Sequence, residues 1–99
     1  MNNQLSTSEK ELYRRVDEIL FYVWDPIGIY DIPMARDEYQ SYLPKVFKLL
    51  LNDSKDHEIS SYLNKVESDS MGLSEKSKKS LDVARLLIET KEALLEPYP

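Results

Sequence analysis

Leu12, Val16, Ile19, Leu20 and Val23 follow one another at spacings of 4, 3, 1 and 3, and Tyr39, Leu43, Val46, Phe47 and Leu50 repeat the same spacing further on. That rhythm returns an apolar side chain to one face of an α-helix, whereas a strand would place alternate residues on one face. Ile59, Tyr62, Leu63 and Val66 form a third such run; Leu81, Ala84, Leu87, Ile88 and Leu95 form a fourth, widened by Val83 and Leu94. Four amphipathic stretches in 99 residues predict an all-α fold: a compact four-helix domain spanning residues 1–99, with one modest core. The presence of two glycines in the whole chain points the same way, because hairpin turns and phosphate-cradling loops draw on glycine.

Local signals set the expected boundaries. Ser6 with Glu9, or Ser8 with Glu11, has the spacing of a capping box, and Leu5 can act as an apolar staple. The first helix is expected over 7–23, ended by Asp25-Pro26, because a residue before proline avoids helical geometry. Ile27-Gly28-Ile29-Tyr30-Asp31-Ile32-Pro33 is apolar yet punctuated by Gly and Pro, which predicts an ordered loop packed onto the core. Pro44 leaves two readings of the second helix. One is a single helix over 34–52 kinked at Pro44; the other is a short helix ending near Leu43 and a second with Pro44 in its first turn. The unbroken apolar phase favours the kinked helix. A third helix is expected over 55–69 after the loop Asn52-Asp53-Ser54, with Ser54 as its cap. A fourth is expected over 75–95, preceded by Gly72 in a left-handed turn, Leu73 folding back and Ser74 as cap, and stopped by Pro97. The short connections call for antiparallel or steeply crossed neighbours.

Charge and composition exclude several functions. The chain carries 13 Lys+Arg against 18 Asp+Glu, a net charge of -5. Residues 1–35 and 36–73 are both acidic and 74–99 is neutral, so the basic footprint of a nucleic-acid binder is missing. Lys76, Lys78 and Lys79 read as a solvated helix start. The absence of cysteine removes disulfides, thiolate catalysis and cysteine-based metal centres, and a single His57 removes a multi-histidine site. Met1-Asn2-Asn3-Gln4 has neither the basic nor the apolar region of a signal peptide. The longest apolar run, Ile19 to Trp24, is far short of the ~20 residues that cross a bilayer. A cytoplasmic protein without membrane, nucleic acid, metal or cofactor is the expectation.

The unusual residues cluster in Tyr22-Val23-Trp24-Asp25-Pro26-Ile27-Gly28, Arg36-Asp37-Glu38-Tyr39 and Tyr42-Leu43-Pro44. The string YVWDPIG followed by ARDEYQSYLPKVFKLL resembles a group of small, stand-alone bacterial proteins of unknown function. The resemblance spans about residues 16–51 and, more loosely, the MGL at Met71. It implies an all-helical fold and a bacterial source, and it implies no activity and no site residues.

Read from the residues themselves, Trp24 closes the core at the end of the first helix. Asp25 bonds a backbone N–H one or two residues on, Pro26 stiffens the turn and Gly28 supplies a left-handed conformation. Arg36 is expected to pair with Asp25 or a neighbouring acid and pin the loop. Asp25, Asp37 and Glu38 offer oxygen ligands without the spacing of an EF-hand, so no metal site follows. Tyr39 and Tyr42, three apart on one helix, give a large, stiff surface with polar tips, of the kind that suits protein recognition. His57, with Ser60 and Ser61 nearby, lacks the strained turn of a hydrolase nucleophile, and no catalytic residue is assigned.

The functional expectation is a non-enzymatic protein-interaction module, immunity-type or regulatory. Its patch comprises Trp24, Asp25, Arg36, Asp37, Tyr39 and Tyr42, and its unknown protein partner is expected to be basic. The alternative is a small-ligand binder or minor enzyme with a pocket beside Trp24, Asp25, Arg36 and Tyr39. A homodimer through the wide apolar face of the fourth helix is a third reading.

Overall fold

The computed structural model describes residues 5–70, 72 and 78–95. Four α-helices appear in chain order: α1 (Thr7–Glu18), α2 (Leu43–Leu51), α3 (Asp56–Lys65) and α4 (Lys78–Leu95). Wider π-helical turns extend α1 over Ile19–Trp24 and α3 over Val66–Ser70. The all-α four-helix architecture is as the periodicity predicts. Leu73 and Ser74, with the start expected for the fourth helix at 75, lie outside the described residues, while Gly72 has the left-handed backbone expected of it, with φ +72°.

The start of α1 follows from its sequence. Ser6 accepts a hydrogen bond from the Glu9 N–H at 3.0 Å, and the Glu9 carboxylate accepts one from the Ser6 N–H at 2.9 Å. This is the reciprocal box that satisfies two otherwise orphaned donors. Leu5 is half-buried and packs against the core. The end of α1 is less regular. The Asp25 N–H reaches back five residues to the Leu20 carbonyl at 3.0 Å. A turn this wide delays the return of the apolar face by about one residue. Trp24 therefore enters the core, and Val23, predicted to line it, is exposed.

The expected kinked helix over 34–52 is replaced by two different structures. Residues 33–42 form successive tight turns, with 3-10 helical pieces at Pro33–Ala35 and Gln40–Tyr42, and α2 begins only at Leu43. In this stretch Arg36, Glu38, Gln40 and Tyr42 each donate to the carbonyl three residues back. Pro44 explains the boundary. With no N–H, it cannot bond the Gln40 carbonyl in helical fashion, and the Leu43 N–H takes that acceptor instead. Pro44 then sits in the first turn of α2, where its missing donor is not needed.

The turn from α2 to α3 uses aspartate where glycine is usual. After α2, Asp53 has φ +59°, its N–H bonds the Leu50 carbonyl and the Ser54 N–H bonds the Leu49 carbonyl. That pair of bonds is the Schellman closure, with Asp tolerating the left-handed position better than most residues. The cap of α3 is Lys55 rather than Ser54, and its N–H is met by the Glu58 carboxylate at 2.7 Å.

α4 is the central element: it packs against α1, α2 and α3 and against the π-turn of α1. Its Val83, Ala84 and Leu87 are buried together with Leu12, Val16, Leu20, Ile59 and Leu63, and Ile88, Leu94 and Leu95 pack against this core. One polar knot crosses it. The buried Glu67 carboxylate accepts from Trp24 Nε1 at 2.7 Å and from the Ser80 hydroxyl at 3.0 Å, joining both π-turns to α4. Glu67→Ala strands two buried donors, each costing about 1–3 kcal/mol. We expect a loss of about 2–4 kcal/mol in urea unfolding for Glu67→Ala, against about 1 kcal/mol for the exposed cap variant Ser6→Ala.

Candidate functional site

Between α1 and α2 the chain makes one long excursion, residues 25–42, and the residues singled out in the sequence all fall at its base or along it. The excursion starts from an unusual backbone. Asp25 is left-handed, with φ +31°. Its carboxylate is buried at 8% exposure and receives three donors: the Ile29 N–H at 2.8 Å, the Tyr30 N–H at 3.2 Å and the Tyr39 hydroxyl at 2.8 Å. The expected bond to an N–H one or two residues on is thus made four and five residues on, which curls the loop around the carboxylate. Tyr39 completes the clasp by accepting from the Ile27 N–H at 3.2 Å. Gly28 takes the left-handed conformation the turn requires, with φ +69°.

A second clasp holds the far side. The Arg36 guanidinium donates to both carboxylate oxygens of Asp17 on α1, each at 3.1 Å. It also lies over the rings of Phe21, at 4.8 Å, and Tyr22, at 5.4 Å. The fork of an arginine matches a carboxylate in this two-point manner, and its flat face suits aromatic rings. Arg36 therefore pins the loop as expected, through Asp17 and not through Asp25. Its bond to Asp17 holds the guanidinium charged still more firmly than usual.

The predicted patch divides into scaffold and surface. Trp24, at 0% exposure, and Tyr39, at 2%, are core residues, with their rings 5.4 Å apart. With Asp25 they offer a partner no surface. Tyr42 is half-buried and meets Trp24 edge-on at 6.2 Å, so both tyrosines turn toward Trp24 as neighbours, and they pack on it instead of forming a surface. Arg36 is half-buried against Asp17, and Asp37 alone among the six is fully exposed.

What the sequence reading missed is the direction of the loop's apolar side chains. They were expected to pack onto the core. Ile29 does, but Ile27, Tyr30 and Ile32 face solvent, joined by Met34, the expected start of the second helix, and by Tyr22 and Val23 at the loop's root. Tyr30 is 59% exposed and Met34 is 93% exposed. Elsewhere among the described residues only Leu51 and Leu86 are large, apolar and exposed, both at the margin. Scattered exposed apolar residues need no explanation, but six within residues 22–34 do. The signal was present: apolar residues between Pro26 and Pro33 follow neither helical nor alternating spacing, so one core face cannot collect them all. Asp17 and Glu67 carry no such signal, because a partner distant in sequence leaves no local spacing to read.

Other chemistry is sparse. Among the described residues no cluster of His, Asp and Glu is placed to hold a metal ion, and no helix is long and apolar enough to cross a membrane. His57 is an exposed residue in the first turn of α3. A cleft of about 410 Å³ lies between the α2–α3 turn and α4, lined in part by Leu50, Asp53, Lys55, Arg85, Ile88 and Lys91. Its charges are largely spent on one another: Arg85 bonds Asp56 at 3.0 Å, and the buried Lys91 bonds Asp53. No family model, no curated protein and no solved structure matches the chain.

Burial, with the Asp25 carboxylate beside it, pushes the Tyr39 hydroxyl well above its ordinary range. The folded protein therefore holds that proton more tightly than the unfolded chain does. The clasp is intact below pH about 10, and its contribution is withdrawn as pH rises past the point where an unfolded tyrosine ionises. Tyr39→Phe should cost about 1–2 kcal/mol at pH 7 and flatten the fall of stability above pH about 10, read from urea midpoints across that range. Asp25→Asn turns a donor toward the Tyr30 N–H and should cost about 1–3 kcal/mol by the same measurement.

Proposed function

We propose that this protein is a non-enzymatic protein-interaction module that docks through residues 22–34, the last π-helical residues after α1 and the loop that follows them. The observation that carries the reading is the exposure of Tyr22, Val23, Ile27, Tyr30, Ile32 and Met34 on a segment whose base is clamped by Asp25, Tyr39, Arg36 and Asp17. A loop that displayed apolar side chains by default would be free to collapse onto the core. This one is held open by polar bonds, one buried and the others partly buried. A preformed apolar surface loses little conformational entropy on binding, which favours recognition. The six-residue patch expected from the sequence becomes, in this reading, the support of the docking surface, with Asp37 at its margin.

Net charge gives the partner a direction. A chain at -5 favours a basic partner, and an immunity-type or regulatory binder that masks a basic protein is the finer form of the proposal. The small-ligand alternative has less behind it: the polar atoms of Asp25 and Tyr39 that would grip a ligand are already engaged with each other and with loop N–H groups. A second copy docked through α4 also has little support, because Val83, Ala84 and Leu87 are occupied in the core and Leu86 is at the edge of exposure.

The test is a pull-down from lysate of the source cell at low and moderate salt, with wild type beside Tyr30→Ser/Met34→Ser. Both side chains are exposed, so the variant should unfold within about 0.5 kcal/mol of wild type. A partner held by wild type and lost by the variant is the expected outcome. Equal retention by both removes the loop from the interaction.

A further inference from the structure

We infer that the loop's partner is a protein surface bearing an apolar pocket edged with lysine or arginine; the inference rests on the docking reading above and adds the shape and charge of what is docked. Shape follows from exposure. Met34 is 93% exposed and Tyr30 59%, so both project from the loop. A flat surface covers one side of a projecting side chain, whereas a concave one removes water from most of it, and interface anchors gain most where they are fully desolvated. The loop is also no wall of the cleft beside α4, whose lining residues all lie between 50 and 92. It is the inserted part, and the pocket belongs to the partner.

Charge follows from which groups remain uncommitted. Asp31 stands between Tyr30 and Ile32, and Asp37 and Glu38 follow Met34 within four residues. All three are exposed, and among the described residues none forms an ion pair. The one cation in residues 22–44, Arg36, is bonded at both ends of its fork to Asp17 and stacked on Phe21. Within residues 22–44 the apolar projections are therefore accompanied by three carboxylates outside any ion pair and by no uncommitted cation. A basic rim answers that field. A second copy of this chain would set carboxylates against carboxylates, and an anionic bilayer would be repelled in the same way.

The pocket chemistry can be tested without the natural partner. The full chain, isotope-labelled for amide NMR, is titrated with three ring hosts sharing one apolar cavity: β-cyclodextrin, its amino-substituted form and its carboxylate-substituted form. The amino host should bind about fivefold tighter than the unsubstituted ring at low salt, as three weak exposed ion pairs together allow. The advantage should shrink as salt is added, and the shifted amides should fall within residues 22–38. Asp31→Asn/Asp37→Asn/Glu38→Gln should erase the advantage and leave the affinity for the unsubstituted ring in place. Equal affinity for the three hosts, or the same advantage in the triple variant, overturns the basic rim. Shifts confined to other residues overturn the inserted loop. A dimer in sedimentation that Met34→Asp dissociates, or loop shifts on adding phosphatidylglycerol vesicles, overturns the proposal in favour of a second copy or a membrane. The pull-down judges the docking reading separately, since a loop-dependent partner there stands whichever host the loop prefers.

Discussion

Asp25 leaves the first helix with a left-handed backbone and carries its carboxylate inward, and the course of the next seventeen residues depends on that combination. A left-handed residue ends the helix. A buried carboxylate then needs donors, because an unpaired charge away from water is costly. The donors within reach are the N–H groups of Ile29 and Tyr30 and the hydroxyl of Tyr39. Meeting that need bends the loop back over its own origin. It also fixes Tyr39 under Trp24 and keeps residues 36–39 in tight turns instead of a helix. Glycine at position 25 would take the backbone conformation more easily but would supply no acceptor. Aspartate accepts some backbone strain and provides the centre about which the loop is organised.

The rest of the molecule allows that loop to face water. The core is closed without it: Leu12, Val16, Leu20, Ile59, Leu63 and Leu87 are buried around α4, and Trp24 is held from the far side by Glu67. Glu67 does for the two π-turns what Asp25 does for the loop. One carboxylate oxygen meets donors from separate elements, and the elements are thereby placed. The result is a division of labour along the chain. Apolar residues on helices stabilise the domain; those of the loop, Ile29 apart, lie outside the core.

The helices were legible because a repeated spacing of 4, 3, 1 and 3 is a property of neighbouring residues and of helical geometry alone. The capping box at Ser6 was legible for the same reason. The turns before α2 were not. Tyr39 fits the apolar phase of Leu43, Val46 and Leu50, and its burial agrees with that phase, yet it is buried by its bond to Asp25 and its packing on Trp24 and not by lying on the same helix. Periodicity records that a residue is inside, not which element brought it there. At the exit of α1 Trp24 closes the core as expected, and only Val23 departs, since one wide turn moved it off the buried face without a change in composition. For the site, the sequence marked the clasp residues Asp25, Arg36 and Tyr39. Their partners Asp17 and Ile29 depend on the tertiary path of the chain.

That difference bears on how the exposed loop should be understood. Had Ile27, Tyr30, Ile32 and Met34 been displayed by a flexible segment, their exposure would average over many conformations, and a partner would have to order them on binding. Here the start of the loop is tied to Tyr39 through the Ile27 N–H, its middle to Asp25 through the Ile29 and Tyr30 N–H groups, and its far end to α1 through Arg36 and Asp17. These bonds are polar and directional, so they fix orientation as well as distance. Met34 sits within two residues of Arg36, and Tyr30 carries one of the N–H groups bound by Asp25. The two most exposed side chains thus each stand close to an anchor. Projection at a tethered point favours insertion into a complementary pocket, because the ordering of the backbone that carries the side chain has been met by the fold before any partner arrives.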